Sequence, residues 1–135
     1  MFDINATDAA PIWRQIEEGM RRMISLGALE PGAAVPSVRD LAQQLRVNPN
    51  TVARAYQRLT DAGVFAVRRG EGTFVAEVPV QLKKSEKHDT LRDAATRYAG
   101  TAIAVGATVT EASRELEDSF ERLTRDHTRD SRRKS

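Results

Sequence analysis

The chain of 135 residues has room for one compact domain and an appendage, which excludes a second large domain for catalysis or ligand binding. It contains no cysteine, so disulfides and thiol catalysis are excluded, and a net charge of +2 excludes a general polycation. The first residues lack the apolar run of a signal peptide, and no stretch reaches the roughly 18 apolar residues that cross a bilayer. A cytoplasmic protein without membrane contact is therefore expected.

A first helix is predicted from about Pro11 to Leu26, because a proline suits the first turn, where its missing N–H would be unpaired anyway. Gly27 supplies a stop, and a Pro-Gly turn follows at residues 30–32. Core packing is favoured over a surface contact for Trp13. It lies beside the apolar residues that recur at helical spacing, which are Ile12, Ile16, Met20 and Met23.

Two short helices separated by a tight turn are predicted next. The first opens at Ser37, which Asp40 follows three residues later in a capping-box-like pattern. After a break at residues 46–47, the second opens with Asn48 as N-cap and a proline at its first position, and Gly63 ends it. This order is typical of a helix-turn-helix whose second helix enters the major groove of DNA.

The sequence period then changes from helical to extended. The β-prone runs at residues 64–69 and 73–76, separated by Gly-Glu-Gly, predict a hairpin packed behind the second helix, the arrangement called a wing. Positive charge concentrates in the same region. Residues 46–70 hold a single acid, Asp61, against five arginines, which are Arg46, Arg54, Arg58, Arg68 and Arg69. Arg58 is interpreted as part of a solvated helix face.

A polar run after Pro79 predicts a linker over residues 80–89, and helical spacing resumes at Thr90. Gly106 interrupts the pattern, and Thr108 with Glu111 offers a capping box for a second helix. The apolar stripes are Leu91, Ala95, Tyr98, Ala102 and Val105, then Val109, Ala112, Leu116, Phe120 and Leu123. A pair of helices this small cannot bury both stripes within itself, so a second copy of the chain is predicted to cover them, with all but Ala112 assigned to the dimer interface.

The first turn of the second helix-turn-helix helix carries the side chains that can read DNA. Asn50 matches an adenine edge through paired hydrogen bonds, and the methyl group of Thr51 matches a thymine. Arg54, one turn later, and Arg39, in the preceding helix, can reach a base or a phosphate. The arginines before the hairpin tip, with two glycines that allow close approach, favour the sugar-phosphate backbone. Capping remains part of the role of Asn48.

The run from Pro36 to Val75, PSVRDLAQQLRVNPNTVARAYQRLTDAGVFAVRRGEGTFV, resembles the DNA-binding domain of the GntR family of bacterial regulators. Residues 11–16 (PIWRQI) and 27–32 (GALEPG) resemble its first helix and the turn after it. The resemblance implies a winged-helix homodimer that binds double-stranded DNA at a short inverted repeat, usually as a repressor. It carries the family's DNA-contacting positions onto Ser37, Arg39, Asn48, Asn50, Thr51, Arg54, Arg68, Arg69, Gly70 and Gly72. Glu71, at the tip, is not expected to touch DNA, because an acid beside phosphates is unfavourable.

The VNPNTVARAY segment and the short tail resemble the YtrA-type subfamily, whose two-helix C-terminal part serves dimerisation. Membership there implies control of a transporter operon, and the chain's own gene is a further expected target. The expected fold class is α+β, mainly α with a small β-hairpin. A winged helix-turn-helix domain is expected over residues 1–79, a linker over 80–89, a helical dimerisation hairpin over 90–126 and a basic flexible tail over 127–135.

Other functions remain open. A winged helix can dock on another protein, although such modules usually lose the exposed basic residues seen here. No nucleophile motif or phosphate-binding loop indicates an enzyme, and no cofactor is expected. Two polar sets are more typical of solvated residues than of metal ligands, namely His88, Asp89 and Asp93, and Asp126, His127 and Asp130. A small-molecule effector in a pocket at the dimer interface competes with ordinary core packing, which is favoured, around Tyr98, Ala102, Leu116 and Phe120.

Overall fold

Five helices and one two-stranded antiparallel sheet make up the computed structural model, which describes residues 1–78 and 82–134, without the side chains of residues 126–134. In chain order these elements are α1 (Ile12–Ser25), α2 (Val38–Leu45), α3 (Pro49–Asp61), β1 (Phe65–Arg68), β2 (Gly72–Val75), α4 (Lys84–Ala104) and α5 (Val109–Lys134). The predicted fold class is confirmed. The chain divides into two compact units, Met1–Val80 (unit 1) and Gln81–Ser135 (unit 2). Within the described ranges, no helix combines the length and the apolar character needed to span a membrane.

Unit 1 is built on an apolar core to which its three helices and its hairpin all contribute. The stripe predicted for α1 is buried at Ile16, Met20 and Met23, and this burial against the core stabilises the amphipathic helix. The helix ends at Ser25, and Gly27, the predicted stop, turns the chain two residues later with a φ of +81°. Apart from Tyr56, no polar or charged side chain that the structure describes is buried, so the charged groups of unit 1 lie on its surface.

The helix-turn-helix forms through the predicted caps. Ser37 Oγ accepts the backbone N–H of Asp40 at 3.1 Å, and Asn48 Oδ1 accepts that of Asn50 at 2.8 Å. The turn between α2 and α3 is reached through Arg46, which has a left-handed backbone with a φ of +57°. Each of the two helices therefore starts where its own sequence provides an oxygen for an unpaired backbone N–H.

A buried tyrosine ties α3 to the start of α2. Tyr56 is 4% exposed, and its hydroxyl donates a hydrogen bond to the backbone carbonyl of Pro36 at 2.7 Å. Its ring meets Phe65 of β1 edge to face, with the ring centroids 5.2 Å apart. Helix α3 is thereby fixed both to the start of α2 and to the hairpin.

The predicted hairpin forms with β1 and β2 in antiparallel register, from Phe65 opposite Val75 to Arg68 opposite Gly72. A third segment, absent from the sequence prediction, joins the other edge of β2. Val75 N–H donates to the carbonyl of Ala33 at 2.8 Å, and an isolated antiparallel bridge joins residues 34 and 74. The connection between α1 and α2 thus holds the base of the wing.

Unit 2 consists of α4 and α5, joined at Gly106, which has a φ of +77°. The predicted capping box is confirmed, because Thr108 Oγ1 accepts the backbone N–H of Glu111 while Glu111 Oε1 accepts that of Thr108. The Glu111 carboxylate accepts from the backbone N–H of Thr108 and also from its hydroxyl, and these two hydrogen bonds, first the backbone one, lower the pKa of Glu111. The Tyr98 hydroxyl donates to the carbonyl of Ala112 at 2.7 Å and links the two helices.

Two predicted boundaries in unit 2 are wrong. The expected linker over residues 80–89 is helical from Lys84 onward, and residues 79–81 lie outside the described residues. The expected flexible tail over residues 127–135 is helical to Lys134, beyond which the structure gives no description. In both places lysines, arginines or a glutamate, which are good helix formers, alternate with weaker ones and form no apolar stripe, and no glycine or proline interrupts residues 109–134. Polarity is therefore not a stop signal for these helices.

Candidate nucleic-acid interface

The buried face of α3 determines which of its side chains point outward. Its buried residues are Val52, Ala55, Tyr56 and Leu59. At about 3.6 residues per turn, the opposite side carries Asn50, Arg54 and Gln57, all of them exposed. The sequence prediction missed Gln57, although its spacing of seven residues from Asn50 could have placed it on the same stripe. Its amide donates to Asp61 Oδ1 at 2.8 Å.

Three predicted contact residues meet at the start of α3. The Oδ1 atom of Asn48 is occupied by its capping hydrogen bond, so its amide group remains available as a donor. Asn50 is exposed, and Thr51 is half-buried with its backbone N–H bonded to the carbonyl of Asn48 at 3.0 Å. This turn therefore combines free amide groups with the positive end of the helix dipole.

Two arginines of α3 lie over the ring of Trp13, near the start of α1. The guanidinium carbon of Arg54 is 4.7 Å from the ring centroid, and that of Arg58 is 4.4 Å away. Arg58 Nε is also 3.0 Å from Glu17 Oε2. Arg58 is exposed, as its interpretation as part of a solvated helix face requires, but its guanidinium also contacts the Trp13 ring and the Glu17 carboxylate. Trp13 is half-buried against the core, as predicted, but also contacts both guanidinium groups.

At the start of α2, Ser37 and Arg39 are both exposed. The Ser37 hydroxyl oxygen serves as the helix cap, and its hydrogen can still be donated to an outside acceptor. In the part of the chain with described side chains, Arg39 has no carboxylate within salt-bridge distance. Its charge is thus uncompensated beside a helix N-terminus.

The wing holds its two arginines differently. Arg68 lies over the ring of Phe74 at 4.2 Å, and its Nη2 atom is 3.3 Å from Glu77 Oε1. Arg69 is exposed at the tip, where Gly70 and the glycine two residues later both have positive φ values of +78° and +119°. The tip backbone therefore presents no side chain at two of its positions, and a second chain can approach it closely.

All ten predicted DNA-contacting residues belong to unit 1 and reach its surface. Nine are exposed, and Thr51 is half-buried. Four are arginines, of which Arg68 alone has an acidic partner among the described side chains. The arrangement offers amide groups at the first turn of α3 and uncompensated positive charge on α2, on α3 and at the wing tip. Such a surface suits a polyanion with readable hydrogen-bonding edges.

Unit 2 holds the residues predicted for dimerisation. Of these nine, Ala102 is buried and the others are exposed. An open groove of about 500 Å³ runs between the end of α4 and the start of α5. Tyr98 and Ala102 line it, whereas Leu116 and Phe120, expected in the same pocket, do not.

The structure describes the side chains of only one of the two polar sets considered as metal ligands. Among the described side chains, no group of three or more His, Cys, Asp or Glu residues comes together to hold a metal ion. His88, Asp89 and Asp93 are among the described residues. The side chains of Asp126, His127 and Asp130 lie outside them.

Comparison with known proteins places this architecture in a family. Residues 13–75 match the model of bacterial regulatory proteins of the gntR family. The chain is 41% identical over 96 residues to the uncharacterized HTH-type transcriptional regulator YhcF of Bacillus subtilis, an alignment covering 71% of this chain and 74% of YhcF. It is 39% identical over 77 residues to the HTH-type transcriptional repressor YtrA of the same organism, covering 57% of this chain and 59%, less than two thirds, of that repressor.

A solved structure agrees with this placement. YtrA from Sulfolobus acidocaldarius, a GntR-family transcription factor, matches with a TM-score of 0.52 and 29% identity. The match covers 90% of this chain and 97% of that structure. The chain therefore belongs to the GntR family of bacterial regulatory proteins, and within that family it is YtrA-like.

Proposed function

We propose that this chain is a sequence-specific transcriptional repressor that binds an inverted-repeat operator as a homodimer. The outward face of α3 carries the proposal, because Asn50 and Arg54 are exposed there beside the capped N-terminus of the helix. An asparagine amide pairs with an adenine edge, and an arginine with a guanine edge or a phosphate. Arg39 on α2, which precedes α3 in the chain, and Arg69 at the wing tip, which follows it, supply phosphate contacts.

Binding to DNA is tested directly by mobility shift with the chain's own upstream intergenic DNA at two salt concentrations. Random DNA of equal length serves as competitor. Saturable binding that survives the competitor supports a repressor acting on its own gene. Binding that random DNA abolishes equally points to a distant operator or general DNA coating. Absence of binding at low salt would overturn the proposal and favour docking on another protein.

Charge removal separates DNA binding from docking on a protein. The variant Arg54→Ala/Arg68→Ala/Arg69→Ala removes two arginines without an acidic partner and Arg68, which is paired with Glu77. The slope of log K against log salt should therefore flatten by about 1.8. The matched control replaces three exposed arginines of unit 2 and makes the same change in net charge. They are Arg92, Arg97 and Arg114. The control should keep the parent slope. Equal loss in both variants would indicate unspecific attraction by net charge.

Dimerisation is supported by the apolar surface that unit 2 leaves open. Phe120 is 68% exposed and Leu116 is 50% exposed, although both lie on the predicted stripe. The variant Leu116→Ser/Phe120→Ser should sediment as a monomer where the parent sediments as a dimer. Val67→Ser, at a position in β1 that is 63% exposed, is the control and should leave the dimer intact. A monomeric parent at micromolar concentration would refute the dimer.

The YtrA-like character supports a transporter operon as the first target to examine besides the chain's own gene. In this proposal the protein acts in the cytoplasm on nucleoid DNA and needs no cofactor. Transcript levels in a strain lacking the gene test the regulatory direction, since a repressor's targets should rise. A fall in those transcripts would indicate an activator.

A further inference from the structure

One aromatic ring in unit 1 holds two cationic side chains from the recognition helix. Arg54 and Arg58 are four residues apart, so they lie on the same side of α3, and both guanidinium groups are within 5 Å of the Trp13 ring centroid. The ring itself packs against the hydrophobic core, which fixes its position. Trp13 on α1 therefore restricts the positions of two long, flexible side chains of α3.

The two arginines differ in their electrostatic partners. Arg58 Nε is 3.0 Å from Glu17 Oε2, and the Glu17 side chain is 13% exposed, so Arg58 is neutralised in a partly desolvated pair. Two uncompensated cations over one ring would repel each other, and Glu17 removes that repulsion. Among the described side chains Arg54 has no acidic partner. Arg58 is thus a brace between α1 and α3, whereas Arg54 keeps its charge for an outside ligand.

The contact with the ring leaves the hydrogen-bonding groups of Arg54 free. An aromatic ring attracts the flat face of a guanidinium, while the N–H groups point outward in its plane. Two of them can donate in parallel to a phosphate or a guanine edge. Arg54 also shares the outward stripe of α3 with Asn50.

We propose that Trp13 is a positioning residue, which holds the guanidinium of Arg54 in place for its contact with DNA. The inference rests on the proposed function, and it adds a residue of α1 to the determinants of affinity. Because Trp13 acts through Arg54, removing the ring should weaken binding without removing a charge. Aromatic replacement should preserve the effect, since the face of a phenyl ring also attracts a cation.

Fluorescence reports on this contact separately from DNA affinity, because Trp13 is the single tryptophan of the chain. Replacing Arg54 by alanine should change the emission maximum or intensity of the free protein, and so should Arg58→Ala. Arg39→Ala is the matched control and should leave the emission unchanged. Adding DNA should alter the emission of the parent and not that of Arg54→Ala. Identical emission of the parent and Arg54→Ala would overturn the contact.

A double-mutant cycle tests the role in binding. The probe is a duplex recovered by in vitro selection with the parent chain. Trp13→Leu should weaken binding about two- to fivefold with an unchanged salt slope, and Trp13→Phe should bind close to the parent. Arg54→Ala should lower the slope by about one. Adding Trp13→Leu to Arg54→Ala should cause no further loss, because the positioned group is gone.

Independent, additive effects of Trp13→Leu and Arg54→Ala would refute the positioning role. Trp13→Leu could weaken DNA binding only because it unfolds, which a large drop in its unfolding temperature would reveal. In that case Trp13→Phe decides, since it keeps the fold. If Trp13→Phe binds DNA no better than Trp13→Leu, the positioning role is refuted. Recovery of no duplex at all would refute the proposed function and the DNA role with it. In that case the fluorescence of the free protein would still report the contact of Arg54 with the ring.

Discussion

Removing the hydroxyl of Tyr56 tests how α3 is held against α2. In Tyr56→Phe the ring keeps its contact with Phe65, but the Pro36 carbonyl loses its donor at 2.7 Å. The free energy of unfolding should fall by about 1 kcal/mol, and by up to about 3 kcal/mol if no water replaces the donor. For a unit of 60–100 residues, about 1 kcal/mol corresponds to a fall of about 4–8 °C in unfolding temperature.

The same variant predicts a difference at high pH. Burial raises the pKa of the Tyr56 hydroxyl above its usual value of about 10. The folded form therefore keeps the proton after the unfolded form has lost it. The contribution of this protonated hydroxyl to the free energy of unfolding is fully present below about pH 10. Above that pH it decreases by about 1.4 kcal/mol per pH unit. The phenylalanine variant has no ionising group there, so its stability should fall less steeply.

Urea unfolding of both proteins at pH 8 and pH 11, at one protein concentration, measures both effects. The two proteins share every other titratable group, so the difference in pH dependence belongs to Tyr56. Tyr98→Phe is a matched control, because that hydroxyl also donates to a backbone carbonyl but its side chain is 38% exposed. Equal midpoints for the parent and Tyr56→Phe at pH 8, with parallel losses at pH 11, would refute the reasoning.

Three further variants test separate features. Arg46→Gly relieves a left-handed backbone with a φ of +57° and should raise the free energy of unfolding by up to about 1 kcal/mol, which a higher urea midpoint would show and a lower one would contradict. A Cβ at Gly19 would lie 2.6 Å from the Phe2 ring, so Gly19→Ala should lower the free energy of unfolding by about 1–3 kcal/mol. In a Phe2→Ala background, Gly19→Ala should no longer lower it. Glu77→Gln frees Arg68 from a carboxylate 3.3 Å away. It should tighten DNA binding and steepen the salt slope by about one, whereas an unchanged slope in titrations would argue against a phosphate contact by Arg68.

Local signals made most of unit 1 predictable from its sequence. The caps at Ser37 and Asn48 and the stop at Gly27 depend on atoms within a few residues, and each formed as expected. Helical spacing also identified the buried face of α1, because one side of the helix must be apolar to pack. The start of α4 at Lys84 was not predictable in this way, since a solvated helix leaves no apolar period.

The candidate site was harder to predict where it depends on contacts between elements. The ring contact of Arg58 with Trp13 joins residues 45 positions apart and follows from how α1 and α3 pack. No local pattern distinguishes such an arginine from a solvated one. No local pattern predicts the ion pair of Arg68 either, because its partner Glu77 follows the second strand of the hairpin. The third segment, which pairs with β2, also depends on contacts between distant parts of the chain.

The uncovered apolar stripes of α4 and α5 have a consequence for how the activity of the protein depends on its concentration. Side chains such as Leu116 and Phe120 contribute little to the stability of a single chain while they stay in water. If two chains must meet to cover them, the active form grows with the square of the monomer concentration at low abundance. A modest rise in expression would then produce a disproportionate rise in operator occupancy, and dilution by cell growth would reverse it. The steepness of this response would come from the apolar surface of α4 and α5, whereas the affinity for DNA would be determined separately in unit 1.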